Sequence, residues 1–326
     1  MTRLVSTALP FSPVKQIQRN ILYFLLLIAA SSLHGYAHAQ RLDTGSIFSQ
    51  PIQMDEVIVK SGFDVNAFIR RVQTDTTFYK AFRSMHLIEY SAVNSFLVFD
   101  RKEQVVASMD SRTKQLRANG CRTTKVLEQK TTGDFFKRNG EYNYYTAELF
   151  AYLFLAPSPV CGENDIVAGA MDARGKGQKE KSKYELKQLI FNPGAKVSGV
   201  PFMGDRASIF EAGEAEKYSF KIEQQEYEGQ SCYVFRIMPK SGYERAVIYD
   251  ELSTWFRKSD YSIVARDYTL SYHTLVYDFD VRMKVRTKEI GGRLYPTSIA
   301  YDGNWHVLTK KRERVKFTVE IAPQVQ

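Results

Sequence analysis

The chain has 326 residues, a formal net charge of +9 and a hydrophobic content of 44%, and this length suits one large β-rich domain. Its three cysteines are far apart and it has only five histidines, which excludes a recognisable zinc-binding pattern. We therefore expect no metal site and no cofactor.

The N-terminal segment has the features of a cleavable secretory signal. Three basic residues come first, at Arg3, Lys15 and Arg19. An apolar run at 21–33 and small residues at 37–39 follow, and the run is shorter than the ~20 residues that span a bilayer. We predict a signal peptide at 1–39 and one exported domain at 40–326, periplasmic or secreted, that begins at Gln40.

Cleavage would remove three basic residues and no acidic residue, so the exported chain would remain basic. Such a charge predicts a weak attraction to anionic membrane surfaces. We do not expect a nucleic-acid partner, because an exported protein meets little nucleic acid.

Export would place the cysteines in an oxidising compartment, where two of the three can pair. Cys121 and Cys161 lie next to Gly120 and Gly162 at the ends of segments, and we favour a disulfide between them. Cys232 lies inside the apolar stretch "SCYVFRIMP", so we expect it to be free and buried.

The first periodic segment after the signal is "FDVNAFIRRVQTD". Its apolar residues recur at the spacing of one helix face, at Val65, Phe68, Ile69 and Val72. Asp64 precedes them in the position of an N-cap. The segment therefore predicts an amphipathic helix with one buried stripe.

From Met85 to about Tyr145 the sequence consists of shorter segments that are typical of strands. Turn signals such as "FDRKE" and "RNGE" separate these segments. A second helix, "TAELFAYLFLA", follows and is stopped by Pro157 and Pro159. It is apolar on nearly every face, so it must be buried or touch lipid.

A loop rich in Lys and Gly is predicted near 169–183, leading into a helix at "SKYELKQLIFNPG". A solvated surface loop is the favoured interpretation, and a basic recognition arm is the alternative.

The C-terminal third alternates apolar and charged residues with a period of two, as in "KYSFKIEQ" and "DFDVRMKVRTK". This period indicates an antiparallel sheet with one wet face. "STWFRKSDYSIVARDY" is predicted to be a hairpin with Ser259 and Asp260 at its tip. Aromatics beside basic residues could suit single-stranded nucleic acid, but here they follow the β period.

Together with "GQSCYVFRIMPK" and "GGRLYPTSIAYDGNW", this hairpin resembles the bacterial lipoprotein-carrier superfamily, typified by LolA and LolB and by outer-membrane lipoprotein-sorting-like proteins. In that family a strand ending in Trp enters a polar turn and returns through an apolar pair to an Arg. The matching places here are Trp255, Lys258, Asp260, Ile263 and Arg266.

The resemblance covers about 64–321 and extends to exported members of the Bacteroidota type. It implies an α+β, mainly β fold in which a large curved antiparallel sheet forms an unclosed barrel around a few helices. The chain departs from a typical carrier by its length, its Lys-rich insertion and its extra cysteines.

The alternating strands also predict which residues share the apolar, concave face of such a sheet. These candidates for ligand binding are Phe220, Ile222, Tyr233, Phe235, Tyr268, Leu270, Tyr272, Phe279, Val281 and Met283. If the helices fill the concavity, these residues are a core. If the helices stand off, the residues line a pocket for an acyl chain. The sequence leaves both possibilities open.

No catalytic motif is recognisable in the exported chain, so we expect a protein that is not an enzyme and has no catalytic residues. Asp278 and Asp280 share a strand face beside Arg282 and are interpreted as solvated, as are His273 and His306.

The sequence therefore supports two candidate functions. The first is a periplasmic protein that binds a lipid, an acylated protein or another apolar ligand. The alternative is an envelope module with a packed core that docks on a protein partner or an anionic membrane.

Overall fold

The computed structural model describes residues 52–54, 63–167, 191–194, 206–211, 213–274, 277–307 and 311–324. The signal peptide, Gln40, the Lys- and Gly-rich loop and nearly all of the helix expected at "SKYELKQLIFNPG" lie outside these residues. Those expectations remain predictions.

Twelve strands and three α-helices make up most of the described chain. The helices are α1 (Val65–Thr74), α2 (Thr77–Met85) and α3 (Tyr145–Phe154), with one turn of 3₁₀ helix at Ala215–Lys217. The strands are β1 (Ile52–Met54), β2 (Glu89–Phe99), β3 (Val105–Ala118), β4 (Cys121–Thr132), β5 (Val160–Cys161), β6 (Tyr218–Tyr227), β7 (Gln230–Pro239), β8 (Tyr249–Arg257), β9 (Ile263–His273), β10 (Tyr277–Ile290), β11 (Arg293–Val307) and β12 (Glu313–Gln324).

All twelve strands belong to one sheet with the order β1-β6-β7-β8-β9-β10-β11-β12-β2-β3-β4-β5. Neighbouring strands are antiparallel except β1 and β6, which are parallel. The last strand, β12, pairs with β2 and joins the two meanders. Strands β1 and β5 are the two edges, so the sheet is unclosed. The predicted fold class is confirmed.

The period of two places large apolar side chains on one face, which we call the inner face. One row of buried residues runs across seven neighbouring strands, from β8 to β3, and each residue is the direct cross-strand partner of the next. The row consists of Leu252, Tyr268, Met283, Tyr301, Phe317, Phe96 and Met109. The charged residues that alternate with them lie on the opposite, outer face.

The three helices lie against the inner face. On α1, the Phe68 ring is 5.2 Å from that of Phe256. On α3, the Phe150 ring is 5.4 Å from that of Phe317. The helix α1 begins as predicted, because the Asp64 carboxylate accepts a hydrogen bond from the Ala67 amide at 2.9 Å.

Helix α2 was not predicted. Its buried residues Phe78, Tyr79, Phe82 and Met85 have helical spacing, which was a usable signal in the sequence. Its Phe78 ring lies under the guanidinium of Arg266, with 4.2 Å between the guanidinium carbon and the ring centroid. This contact stabilises a buried cation on the inner face.

The hairpin between β8 and β9 is confirmed. Its turn is held by Arg257, whose guanidinium donates to the Asp260 carboxylate at 2.9 and 2.5 Å. Trp255 lies on the outer face and Phe256 is buried on the inner face. The basic and aromatic residues of the hairpin therefore belong to two different faces of the sheet.

A glycine on β11 makes room for one ring of the inner face. Gly303 and Tyr301 are two residues apart on the same face, and the Tyr301 ring lies across Gly303 so closely that a Cβ there would overlap the phenol. The ring stacks on Phe317 with 4.7 Å between centroids. Gly303 thus allows the tyrosine to lie flat in the core.

We expect Gly303→Ala to lower the free energy of unfolding by about 1 to 3 kcal/mol, because the new methyl group overpacks the site. In a Tyr301→Leu background, which lacks the overlapping ring atoms, the same change should cost much less. Urea unfolding of the four proteins measures the coupling. An equal cost of Gly303→Ala in both backgrounds would contradict this account.

Candidate functional site

The structure places all ten candidate residues on the inner face, within its apolar core or packed against it. Seven are buried, namely Phe220, Ile222, Phe235, Tyr268, Leu270, Tyr272 and Met283. Three are half-buried, namely Tyr233, Phe279 and Val281. The face itself is therefore continuous, while the binding role of these residues stays a prediction.

The centre of the inner face is closed to solvent, with Tyr268, Leu270 and Met283 at most 2% exposed. Between α2, α3 and Phe191 there is a void of about 10 Å³, lined by Phe82, Met85 and Leu153 among others. That volume holds about one water molecule at most. An acyl chain could enter this region only if one of the covering segments moved.

Apolar side chains reach two rims of the inner face. At the β7 rim, the Tyr233 ring lies 4.6 Å from that of Phe63, and Lys258 Nζ is 4.9 Å from the Tyr233 centroid. At the β10 rim, Phe279 lies 6.0 Å from Tyr272, measured between ring centroids. Both rims combine half-buried rings with solvent access.

The N-terminus of α3 is capped by a residue far away in sequence. Tyr144, at the N-cap position, makes no side-chain capping bond. Instead the Glu313 carboxylate of β12 accepts hydrogen bonds from the amides of Tyr145 at 2.7 Å and Thr146 at 2.9 Å. Because these amides have no partner within the helix and carry its positive dipole end, the carboxylate stabilises the helix and fixes it to β12.

The C-terminal end of α3 is held by β2 and β4. The Tyr90 hydroxyl donates to the Phe154 carbonyl at 3.1 Å. Thr124 and Ala156 bond reciprocally, through the Thr124 amide at 2.7 Å and the Ala156 amide at 2.9 Å. Between these ends, Leu149, Phe150 and Leu153 are buried against the core. The middle of α3 thus adheres to the core by apolar contact.

Cys121 and Cys161 form a disulfide that joins β4 to β5, and Cys232 is free and buried. Beside the disulfide, Arg122 is only 5% exposed and donates to Glu163 at 2.5 Å. Glu163 also contacts His86 Nδ1 at 2.9 Å. These contacts tie the segment after β5 to β4 and to the end of α2.

The same interactions shift the pKa of Glu163. Burial alone would raise this pKa, but the hydrogen bonds and positive charges of His86 and Arg122 outweigh burial and lower the pKa of Glu163 from 4.5 to about 2. The carboxylate is therefore ionised at neutral pH and helps to hold the edge of the sheet.

Asp278 and Asp280, which the sequence analysis interprets as solvated, form ion pairs at the surface. Asp278 lies 2.7 Å from His273 Nδ1 and also binds Arg312. The hydrogen bond from His273 lowers the pKa of Asp278, with a smaller opposing effect of burial. A lowered pKa suits an ion pair better than a general acid. His273 is 60% exposed, as expected for a solvated residue.

None of the helices in the described ranges combines the length and apolar character of a membrane-spanning helix.

Several solved structures are similar to this chain. No family model and no curated protein matches the sequence. An outer membrane lipoprotein-sorting protein domain from Vibrio parahaemolyticus is 13% identical, with 79% of this chain and 91% of that chain covered and a TM-score of 0.27. A DUF1329 family protein from Desulfovibrio piger is 14% identical, with coverages of 76% and 92% and a TM-score of 0.21.

A structure of lipovitellin that concerns its lipid–protein interactions is 7% identical. It is similar over 73% of this chain and 25% of that chain, with a TM-score of 0.25. With identities and TM-scores this low, these superpositions carry no weight for the family or the function of this chain.

The shifted carboxyl predicts a pH dependence of stability. Because the folded pKa of Glu163 is lowered, its stabilisation is present above the unfolded pKa of about 4.5 and is lost as pH falls towards 2. We expect Glu163→Gln to cost roughly 1 to 3 kcal/mol at pH 7, and the difference from the unmodified protein to shrink as pH falls.

Urea unfolding at several pH values measures this difference. The matched control is Glu128→Gln, whose carboxylate is 66% exposed and pairs with Arg112 on the surface. Its cost should be small at every pH. If the free energies of unfolding of Glu163→Gln and the unmodified protein differed by the same amount at pH 7 and near pH 2, the lowered pKa of Glu163 would be refuted.

Proposed function

We propose that the protein is an exported, non-enzymatic binding protein that holds the acyl chain of a lipid or of an acylated protein between the inner face and α3. The observation that carries this proposal is the continuity of the apolar inner face, which runs under the helices and ends in half-buried residues at its rims. Val281 and Phe279 at the β10 rim offer an apolar entry next to solvent.

Ligand uptake would require α3 to move, because its Phe150 ring packs directly on the rings of Phe96 and Phe317 on the inner face. Leaving the core would expose Leu149, Phe150, Leu153 and Phe154, at a cost of roughly 1.5 to 3 kcal/mol for each side chain. A chain of about twelve methylenes gains roughly 10 kcal/mol on burial, at ~0.8 kcal/mol each. A long acyl chain can therefore offset the exposure of α3, whereas a short one cannot.

The character of α3 also fits such an exchange. The helix is apolar on most sides, and its residue Tyr152 is 42% exposed while the helix lies on the sheet. A helix of this kind remains stable when displaced only if it contacts other apolar material. An acyl chain bound beneath it would supply that contact.

A second candidate function is an envelope module that docks on a partner through its outer face. The packing of α3 on the sheet favours it, because Phe150 and Phe96 are buried against each other and a packed core needs no ligand. On either proposal, the periplasm or another extracytoplasmic space is the expected location.

The test uses binding of a fluorescent long-chain fatty acid to the purified protein. Val281→Trp should fill the β10 rim and weaken saturable probe binding at least about tenfold, as expected when a contact worth more than 1.4 kcal/mol is lost. The matched control is Val93→Trp on the outer face of β2, where the valine is 55% exposed. This variant should bind the probe normally.

Far-UV circular dichroism and a urea melt would accompany the binding curves. If the inner face is only a core, Val281→Trp costs about 1 to 3 kcal/mol in stability and there is no probe binding to lose. Absence of saturable binding to the unmodified protein, where a known lipid carrier binds, would sink the proposal and leave the docking module as the better candidate.

A further inference from the structure

The outer face of the sheet contains a trough whose floor consists of short side chains. Ala300, Thr318 and Ser95 are aligned in register across β11, β12 and β2. Neighbouring positions on the same face carry long side chains, so the aligned short residues leave a depression of about 350 Å³ between them. This volume is in the range of a small-molecule site.

Three cations surround the trough. Arg282 and Lys284 extend from β10, and Lys316 extends from β12. The Asp302 carboxylate pairs with Lys316 at 3.1 Å. Within the described ranges, neither Arg282 nor Lys284 forms an ion pair, and both are exposed. The trough therefore has an excess of positive charge that an anion could neutralise.

Apolar side chains adjoin this basic trough, half-buried at Leu97 and Phe99 and exposed at Val105 and Val106 beyond them. Leu97 belongs to its lining, and Lys316 Nζ lies 5.7 Å from the ring centroid of Phe99. Phe99 pairs with Val105 at a bulge between β2 and β3. Val105 and Val106 are 50% and 45% exposed. Basic and apolar groups thus lie side by side on one surface.

We propose that this trough binds the phosphate group of an anionic phospholipid at a bilayer surface. Arg282, Lys284 and Lys316 would contact the headgroup, and Val105 and Val106 would contact the interfacial part of the bilayer. Side-by-side basic and apolar groups match a membrane surface, which presents phosphate next to hydrocarbon. Because the trough lies on the opposite side of the sheet from the acyl-binding residues, this inference does not depend on the apolar-ligand proposal.

The test is co-sedimentation with vesicles of phosphatidylcholine that contain or lack phosphatidylglycerol. The unmodified protein should bind only the anionic vesicles, and binding should weaken as salt is raised. The double variant Arg282→Gln/Lys284→Gln should lose roughly twentyfold in partition to anionic vesicles, since each basic residue near such a surface contributes about one factor of five.

The matched control is Lys125→Gln/Lys288→Gln, which removes the same charge from exposed residues that do not line the trough. Its binding should fall by much less than that of the trough variant. Equal loss in the two double variants, or no loss in the trough variant while its circular dichroism spectrum is unchanged, would overturn the proposal.

A further arm separates a bilayer from a free phosphate compound. Glycerol 1-phosphate, added without vesicles, should give no saturable binding by titration calorimetry, because one headgroup without the bilayer lacks the apolar contacts. Saturable binding of this compound would instead indicate a soluble phosphorylated ligand and overturn docking. Fatty-acid probe binding should be the same in the trough variant and the unmodified protein. A failure of the membrane-docking proposal can therefore be told apart from a failure of the acyl-binding proposal.

Discussion

The inner face of the twelve-stranded sheet must be kept from water, and the other features of the fold follow from this constraint. A fully buried large apolar side chain contributes roughly 1.5 to 3 kcal/mol. The single row that runs from Leu252 on β8 to Met109 on β3 therefore contributes at least about 10 kcal/mol, as much as the net stability of a typical domain. Because β1 and β5 do not pair with each other, closure of a barrel cannot supply the cover, and helices must supply it.

Each covering helix is attached to the sheet in a different way. Helix α1 inserts Phe68 among the rings of β7 and β8. Helix α2 contacts the buried Arg266 of β9 and is tied at its end to Glu163. Helix α3 is bonded at its ends, by Glu313 and by Tyr90 and Thr124, and adheres through apolar contacts between them. Because α3 is bonded to the sheet at both ends, the proposed uptake of an acyl chain would have to displace its apolar middle from the core.

Placing most of the large apolar residues on the inner face also determines the chemistry of the outer face. The charged residues that alternate with the core form cross-strand ion pairs, such as Arg236 with Glu223 at 2.6 Å and Arg286 with Asp267. Arg282 and Lys284 are exceptions within the described chain, since they border the trough and form no ion pair. The same period of two thus produces an apolar surface on one side and a patterned basic surface on the other.

Much of this architecture could be predicted from the sequence, because it depends on local patterns. The period of two in β6, β10 and β12 identified the strands and their inner face, and Asp64 marked the start of α1. Helix α2 was missed although Phe78, Phe82 and Met85 carried a helical spacing, since the short segment directly precedes the long strand β2.

Other features depend on contacts between residues far apart in sequence. Glu313 caps a helix that lies more than 160 residues earlier, and no local sequence motif predicts this contact. The trough requires the register of β11, β12 and β2, which aligns Ala300, Thr318 and Ser95. Whether the inner face is filled depends on the distance between helices and sheet, which a residue pattern does not encode.

Our central claim is that the inner face binds an acyl chain when α3 is displaced from the core. Native mass spectrometry of the protein purified gently from the envelope of its own host tests this most directly. We expect a population heavier than the polypeptide by the mass of a lipid or fatty acid, which is released on collisional activation. A spectrum of bare polypeptide alone, under conditions in which a known lipid carrier retains its ligand, would contradict it.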